Sequence, residues 1–318
     1  MTTAAAIDCG TNSIRLLVAD ADPATGQLVE RDRRMEIVRL GQGVDRTGRL
    51  APEALDRTLA ACREYAAVVA AHGVTPDRLR FAATSASRDA ENRADFVRGV
   101  QEILGVSPEV ITGDEEAALS FTGATRELAG RPDIARPFLV LDIGGGSTEF
   151  VLGDDRVTAA RSVDIGCVRL TERHLTGADG AVADPPSQAA RAALTADIDA
   201  ALELAAERVP LTEAGTLVGL AGSVTTVAAM ALELPEYDPS AIHHAVLERE
   251  RVRRITEWLW SADHAARAAV PAMHPGRVDV IGAGALVLLR VMERAEVSRV
   301  TVSEHDILDG LLWSVLAR

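Results

Sequence analysis

Residues 5–20 read AAIDCGTNSIRLLVAD, and residues 138–154 read FLVLDIGGGSTEFVLGD. Each runs from an apolar strand into Asp-x-Gly-x-x-Ser and out along a second apolar strand to an acidic turn. Asp8, Gly10 and Ser13 align with Asp142, Gly144 and Ser147. A strand–tight turn–strand unit that occurs twice at corresponding positions predicts two related domains. The boundary is expected in the turn-rich stretch AGRPDIARP, residues 129–137, where Gly and Pro interrupt regular structure. The expected domains are therefore residues 1–130 and 131–318, with a C-terminal helix near 305–318 packing back on the first.

Away from these two units the chain alternates between strand and helix patterns. In the first half, 35–44 and 79–87 read as strands and 52–73 as an amphipathic helix stopped by Gly73. A helix over 92–105, a strand over 106–113 and a helix over 114–128 follow. In the second half, 162–166 reads as a strand, and Ser187 is placed to cap a long helix reaching Val209. Residues 217–223 read as a strand entering a loop, followed by a helix through Leu232. Helices over 248–260, 280–295 and 306–317 and a strand over 300–304 complete the pattern. Strands alternating with helices predict an α/β fold, and the strand–turn–strand openings add antiparallel pairs to each sheet.

Composition narrows the chemistry. With 318 residues, 47% hydrophobic and 25% charged, the chain can bury a sizeable core. All 33 basic residues are arginine. Without lysine there is no Schiff-base enzyme and no Gly-Lys-Ser/Thr phosphate loop. A net charge of −14 argues against duplex nucleic acid as a partner, though not against a small anion held by arginines, amides and a cation. Cys9, Cys62 and Cys167 show neither metal-ligand nor disulfide spacing and are expected as small buried side chains in a reducing cytoplasm. The N-terminal apolar stretch before Asp8 is too short for a signal peptide, and no run long enough to span a membrane occurs. His243-His244 and His305 lack metal spacing with a carboxylate pair, and the arginine-rich stretch 249–254 reads as a solvated helix face.

The repeated turn has a definite chemical use. Glycine lets a ligand approach the backbone, and successive amides at Gly10, Thr11, Asn12 and Ser13 can form an anion nest. Gly144, Gly145, Gly146 and Ser147 can do the same. A carboxylate facing phosphate-binding amides calls for a cation between them, which makes Asp8 and Asp142 candidate Mg²⁺ ligands. A third candidate is Gly222-Ser223 in LAGSVTT (220–226), where a strand gives way to a helix N-terminus.

These turns resemble those of the actin–sugar kinase–Hsp70 superfamily, which implies two RNase H-like (actin-like ATPase) domains with an interdomain cleft. The finer resemblance is to the exopolyphosphatase/guanosine-pentaphosphate phosphohydrolase (Ppx/GppA) family. It rests on AIDCGTNSIRLLVAD, ATSASRDAENRADF (83–96), VITGDEEA (110–117), LDIGGGSTEF (141–150) and GLAGSVTT (219–226). HPGRVDVIGAGALVL (274–288) and VSEHDILDG (302–310) extend it over essentially the whole chain. The chain looks like the short form that lacks additional C-terminal helical domains.

The resemblance implies a general base at Glu116, with Glu115 the weaker candidate, and metal handling by Asp142 and Glu149 with Asp8 assisting. It implies phosphate contacts from Arg88 and from the three glycine turns. The implied cofactor is Mg²⁺, with Mn²⁺ a possible substitute. The implied activity is removal of terminal phosphate from inorganic polyphosphate, short chains above all, in the cytoplasm, and the family's homodimers make a homodimer the expected assembly. Guanosine pentaphosphate is the second substrate, and a non-catalytic alarmone sensor is a reading of another class. A kinase of the same superfamily would need an Asp base and a further substrate-binding insertion, and neither motif is found. Ser13 or Ser147 as a covalent nucleophile lacks a recognisable histidine partner. Phosphoanhydride hydrolysis needs mainly charge neutralisation and a positioned water, which this residue set can supply.

Overall fold

A computed structural model describes residues 1–22, 27–84, 87–88, 90–131, 133–177 and 180–316. Ser85 and Ala86 of the TSAS stretch, and Ala317 of the last expected helix, lie outside these. By contacts the chain forms two compact units, Met1–Gly123 with Ile307–Arg318, and Ala124–Asp306. The expected boundary at 130/131 falls within the second unit.

The first unit is built on five strands, β1 (Thr2–Cys9), β2 (Ser13–Asp22), β3 (Gln27–Ile37), β4 (Leu79–Ala83) and β5 (Glu109–Val110), in the order β3-β2-β1-β4-β5. β1, β2 and β3 are antiparallel neighbours, and β4 and β5 continue in parallel from β1. Helices α1 (Pro52–Ala71), α2 (Arg93–Leu104) and α3 (Gly113–Thr125) belong to this half of the chain. One face of the sheet buries Ile7, Ile14, Leu16 and Phe81 against Tyr65, Phe96 and their neighbours, and Tyr65 donates to the Ile14 carbonyl. The other face, Ala4, Ala6, Leu17, Ala19 and Ala82, is covered by Ile307, Leu308, Leu311 and Leu312.

The second unit has six strands: β6 (Phe138–Ile143), β7 (Thr148–Gly153), β8 (Val157–Val163), β9 (Thr216–Leu220), β10 (Val246–Glu248) and β11 (Arg299–Val302). Their order is β10-β11-β9-β6-β7-β8. Its helices are α4 (Cys167–His174), α5 (Gln188–Ala206), α6 (Ala221–Ala231), α7 (Arg249–Ser261) and α8 (Ile281–Arg294); α9 (Ile307–Leu316) follows, and short turns are left unlabelled. An antiparallel β6–β7–β8 meander with parallel β9 beside β6 repeats the β1–β2–β3 meander with parallel β4. The repetition seen in the sequence is thus a repetition of topology.

Several elements differ from expectation. The strand expected over 35–44 runs from Gln27 to Ile37 instead, and residues 38–43 turn. It is a sheet edge carrying Glu30–Arg33 and Asp32–Arg34 pairs, so it lacks the apolar alternation that identifies strands. The strand over 106–113 shrinks to Glu109–Val110, because Thr112 caps α3 through Oγ1 and Gly113 already belongs to the helix. The strand over 162–166 becomes Val157–Val163, and α4, which had no expected counterpart, begins at Cys167. Ser187 does cap α5, accepting from Ala190 N at 3.1 Å.

The helix α9 meets α3 at Gly310, where a Cβ would lie 2.1 Å from the Leu119 carbonyl oxygen. Backbone cannot yield there as a side-chain tip can, so Gly310→Ala should cost about 1–3 kcal/mol or more. A lowered urea midpoint at unchanged slope is the expected result; a wild-type midpoint would show that the helix slides without penalty.

Candidate active site

The two repeated turns close identically. Gly10 N donates to Ser13 O at 2.9 Å, and Gly144 N donates to Ser147 O at 3.0 Å. Both turns sit at the ends of the parallel-compatible strands β1 and β6, where Asp8 and Asp142 are the last strand carboxylates.

What the two aspartates face is different. Across β1–β2, Asp8 stands opposite Arg15, whose Nε and Nη2 both donate to Asp8 Oδ2, at 3.1 and 2.6 Å. Across β6–β7, Asp142 stands opposite Glu149. The first turn therefore matches its carboxylate with a guanidinium from its own hairpin, while the second sets two carboxylates side by side. Glu149 is 1% exposed, and its Oε1 accepts from Ser162 Oγ at 2.7 Å, one strand further on β8. Two hard-oxygen donors on rigid neighbouring strands fit a divalent cation of the Mg²⁺ type. Asp8, expected to assist at the metal, gives Oδ2 to Arg15, while its Oδ1 is buried.

The first turn holds another polar atom that points to a ligand. Asn12 is 7% exposed, and its Oδ1 accepts no hydrogen bond from the described residues. The backbone around it is firmly held: Asn12 O accepts from Val38 N and Arg39 N, and Thr11 O from Gly41 N. Thr84, at the end of β4, donates its amide to Cys9 O beside the turn.

The second turn is fastened from behind by α4. Cys167 N donates to Gly144 O, and Val168 N and Arg169 N both donate to Gly145 O. The helix N-terminus thus takes the turn's carbonyls. Gly166 is the hinge of this contact, since a Cβ there would lie 2.2 Å from Gly145 O. Thr148 Oγ1, bonded to the Ile165 carbonyl, adds a further tie.

The third turn lies beside it, since β9 pairs with β6 and brings Leu220 level with Asp142. Gly222 and Ser223 form the first turn of α6 behind Ala221, which takes the left-handed φ of 63°. The Arg277 guanidinium lies so close over Gly222 that a Cβ would fall 1.5 Å from Nη1. Ser223 is approached by Gly284 of α8, where a Cβ would come within 2.3 Å of its Oγ. Arg277 and Gly284 belong to stretches quoted above without a role for either. The signal available for Arg277 was an arginine two residues after a proline, which by itself marks only a turn.

In the first unit, Glu115 and Glu116 point to different partners. Glu115 Oε1 accepts from Arg80 Nη2 at 2.9 Å, in a cluster with Glu109 and Ser314. Glu116 is 9% exposed, and its Oε2 accepts from Arg88 Nη1 at 3.0 Å. The same Nη1 donates to the Ile111 carbonyl. Arg88, expected on phosphate, is therefore engaged with the expected base.

All three cysteines are buried. Burial, then Cys62 and Asp8 close by, push the Cys9 thiol well up, and burial likewise raises Cys167. Neither is primed as a thiolate nucleophile. Among the described residues, no helix is long and apolar enough to cross a membrane.

Two mixed sheets opening with the same strand–turn–strand unit define a two-domain actin-like α/β protein. The chain belongs to the Ppx/GppA phosphatase family, whose model matches residues 17–318. It is 47% identical over 326 aligned residues to Exopolyphosphatase 2 of Mycobacterium tuberculosis, covering 99% of each chain. An exopolyphosphatase-like protein of known structure superposes with a TM-score of 0.91 at 43% identity, over 98% of this chain and 97% of that one. The Aquifex aeolicus family member gives 0.78 at 28% identity, covering 99% and 98%. Phosphatases of this family are generally metal-dependent.

Gly166→Ala should leave the circular dichroism spectrum intact while reducing turnover at least about tenfold, because the Gly144–Ser147 turn must shift to admit the methyl group. Wild-type turnover in that variant would mean that α4 does not set the turn.

Proposed function

We propose that the protein is a metal-dependent exopolyphosphatase that hydrolyses the terminal phosphoanhydride of inorganic polyphosphate, short chains in particular, releasing orthophosphate. The observation that carries this reading is the cross-strand pair Asp142 and Glu149 beside a glycine turn whose carbonyls are tied back. The relative named Exopolyphosphatase 2 supports the choice of substrate.

In this reading the amides of Gly10–Ser13, Gly144–Ser147 and Gly222–Ser223 hold phosphate oxygens, with Arg277 adding charge at the third turn. Asp142 and Glu149 would hold Mg²⁺, or Mn²⁺ in its place, with Asp8 assisting. Mg²⁺ would neutralise phosphate charge as it shifts toward the leaving oxygen. Glu116 accepts the proton of a water as its oxygen attacks the terminal phosphorus and the bridging oxygen departs. Arg88 orients the Glu116 carboxylate and offers its remaining donors to the substrate. In this reading the enzyme acts in the cytoplasm as a homodimer, with polyphosphate as its partner.

Glu116→Gln should lower phosphate release by about 10²–10⁴-fold with substrate binding kept. Glu115→Gln, which loses only its contact with Arg80, should retain most activity. The assay is orthophosphate release from polyphosphates of graded length, run beside guanosine pentaphosphate and ATP. The reverse pattern for the two glutamates would move the base to Glu115, and a preference for guanosine pentaphosphate would replace the substrate. Ser162→Ala should weaken activating Mg²⁺ by about 10–100-fold, the usual effect of removing a group that orients a ligand. An unchanged Mg²⁺ dependence would remove Glu149 from the metal.

A further inference from the structure

Beyond the end of β11, the strand beside the one that leads into the third glycine turn, three histidines and a glutamate gather in the second unit. The His243 and His244 rings stack with centroids 3.8 Å apart, and His243 and His305 tilt together at 4.5 Å. All three address Glu127. His243 Nε2 lies 3.1 Å from Oε2, His305 Nδ1 lies 3.6 Å from Oε1, and His244 Nε2 lies 3.9 Å from Oε2. One ligand atom each from Glu127, His243 and His305 fit within 4.8 Å of one another.

We propose that Glu127, His243 and His305 form a binding site for a first-row transition-metal ion of the Zn²⁺ class, separate from the Asp142–Glu149 pair. Two ligands on a tetrahedral zinc lie about 3.4 Å apart when the bonds are about 2.0–2.1 Å long. The three spacings to Glu127 bracket that edge. Those of 3.6 and 3.9 Å are too long for hydrogen bonds, and so the carboxylate is surrounded by nitrogens without being bonded to most of them. Among the described residues His244 Nε2 is buried without a hydrogen-bond partner, which makes it the nearest further donor for a fourth position. Imidazole nitrogen with one carboxylate suits Zn²⁺ or Co²⁺ and does not suit Mg²⁺, which takes oxygen ligands.

In the arrangement described, Glu304 N donates to His243 Nδ1 at 3.1 Å, so the ring proton sits on Nε2 and is donated to Glu127. For Nε2 to take the ion, that proton passes through solvent to Nδ1, and the Glu304 amide gives up its bond. The ring stays neutral, and two hydrogen bonds, Nε2–H to Glu127 and Glu304 N–H to Nδ1, are exchanged for metal bonds from His243 and Glu127. Glu127 stands three residues inside the start of the second unit, and His305 is its second-last residue. An ion held by both closes the two ends of that stretch of chain, which predicts a stabilising role.

The test uses the full chain, freed of metal by chelation and titrated with Co²⁺ in excess Mg²⁺, with visible absorption as the readout. One equivalent of Co²⁺ with the intense bands of low-coordinate cobalt, displaced by Zn²⁺, is expected. His305→Ala and Glu127→Gln should each weaken this binding by more than about 100-fold, beyond the loss typical of an outer partner. Glu149→Gln should bind as wild type does. Zn²⁺ should raise the Tm of wild type but not of Glu127→Gln. Absence of the bands in wild type, weak octahedral bands, or bands lost in Glu149→Gln but kept in Glu127→Gln would each overturn the proposal. Should His305→Ala fail to fold, Glu127→Gln, which preserves size, decides.

Discussion

Two carboxylates held opposite each other on neighbouring strands are the constraint around which the second unit is organised. At about 5 Å and an effective dielectric of about 20, two such charges repel by ~3 kcal/mol. A hairpin bearing Asp142 and Glu149 at facing positions is therefore suited to a divalent cation. The first hairpin meets the same position with Arg15, which grips Asp8 through two nitrogens. One residue, two places after the turn serine, thus sets a guanidinium beside the first carboxylate and a second carboxylate beside the other.

The surroundings hold the second turn still. Amides of α4 take the carbonyls of Gly144 and Gly145, and Gly166 lets the helix come close enough to do so. Gly284 allows α8 to press on Ser223, and Gly222 leaves room for Arg277. Each of these glycines lets its backbone approach a neighbouring backbone, the Ser223 side chain or a guanidinium more closely than a methyl group would allow. Preorganisation of this kind suits phosphoryl chemistry, where positioned charge rather than covalent attack does most of the catalysis.

Much of this was legible in the residues. The repeated Asp-x-Gly-x-x-Ser is contiguous, and its apolar flanks carry the strand signal, so the doubled fold could be read directly. The edge strand Gln27–Ile37 could not, since its ion pairs replace the apolar alternation. Nor could the partners of the site residues. Arg15 keeps the spacing that Glu149 has in the second repeat, but its pairing with Asp8 shows only in the strand register, and Ser162 against Glu149 and Arg88 against Glu116 join segments with no fixed spacing. The histidine cluster illustrates the limit well: Glu127, His243 and His305 are brought together from three distant segments, and pairwise spacing holds no trace of it.

The helix Ile307–Leu316 has a consequence for how the protein is made. It covers the Ala4, Ala6, Leu17, Ala19 and Ala82 face of a sheet whose strands all lie before residue 111. On the ribosome those strands emerge early, while their cover is translated only after the whole of Ala124–Asp306. The Ala124–Asp306 unit owns all of its strands and completes first. The nascent first sheet thus spends the synthesis of nearly two hundred residues with one alanine-rich face open to water. Small side chains on that face keep the exposed apolar area modest, which limits the attraction of the waiting sheet for other chains.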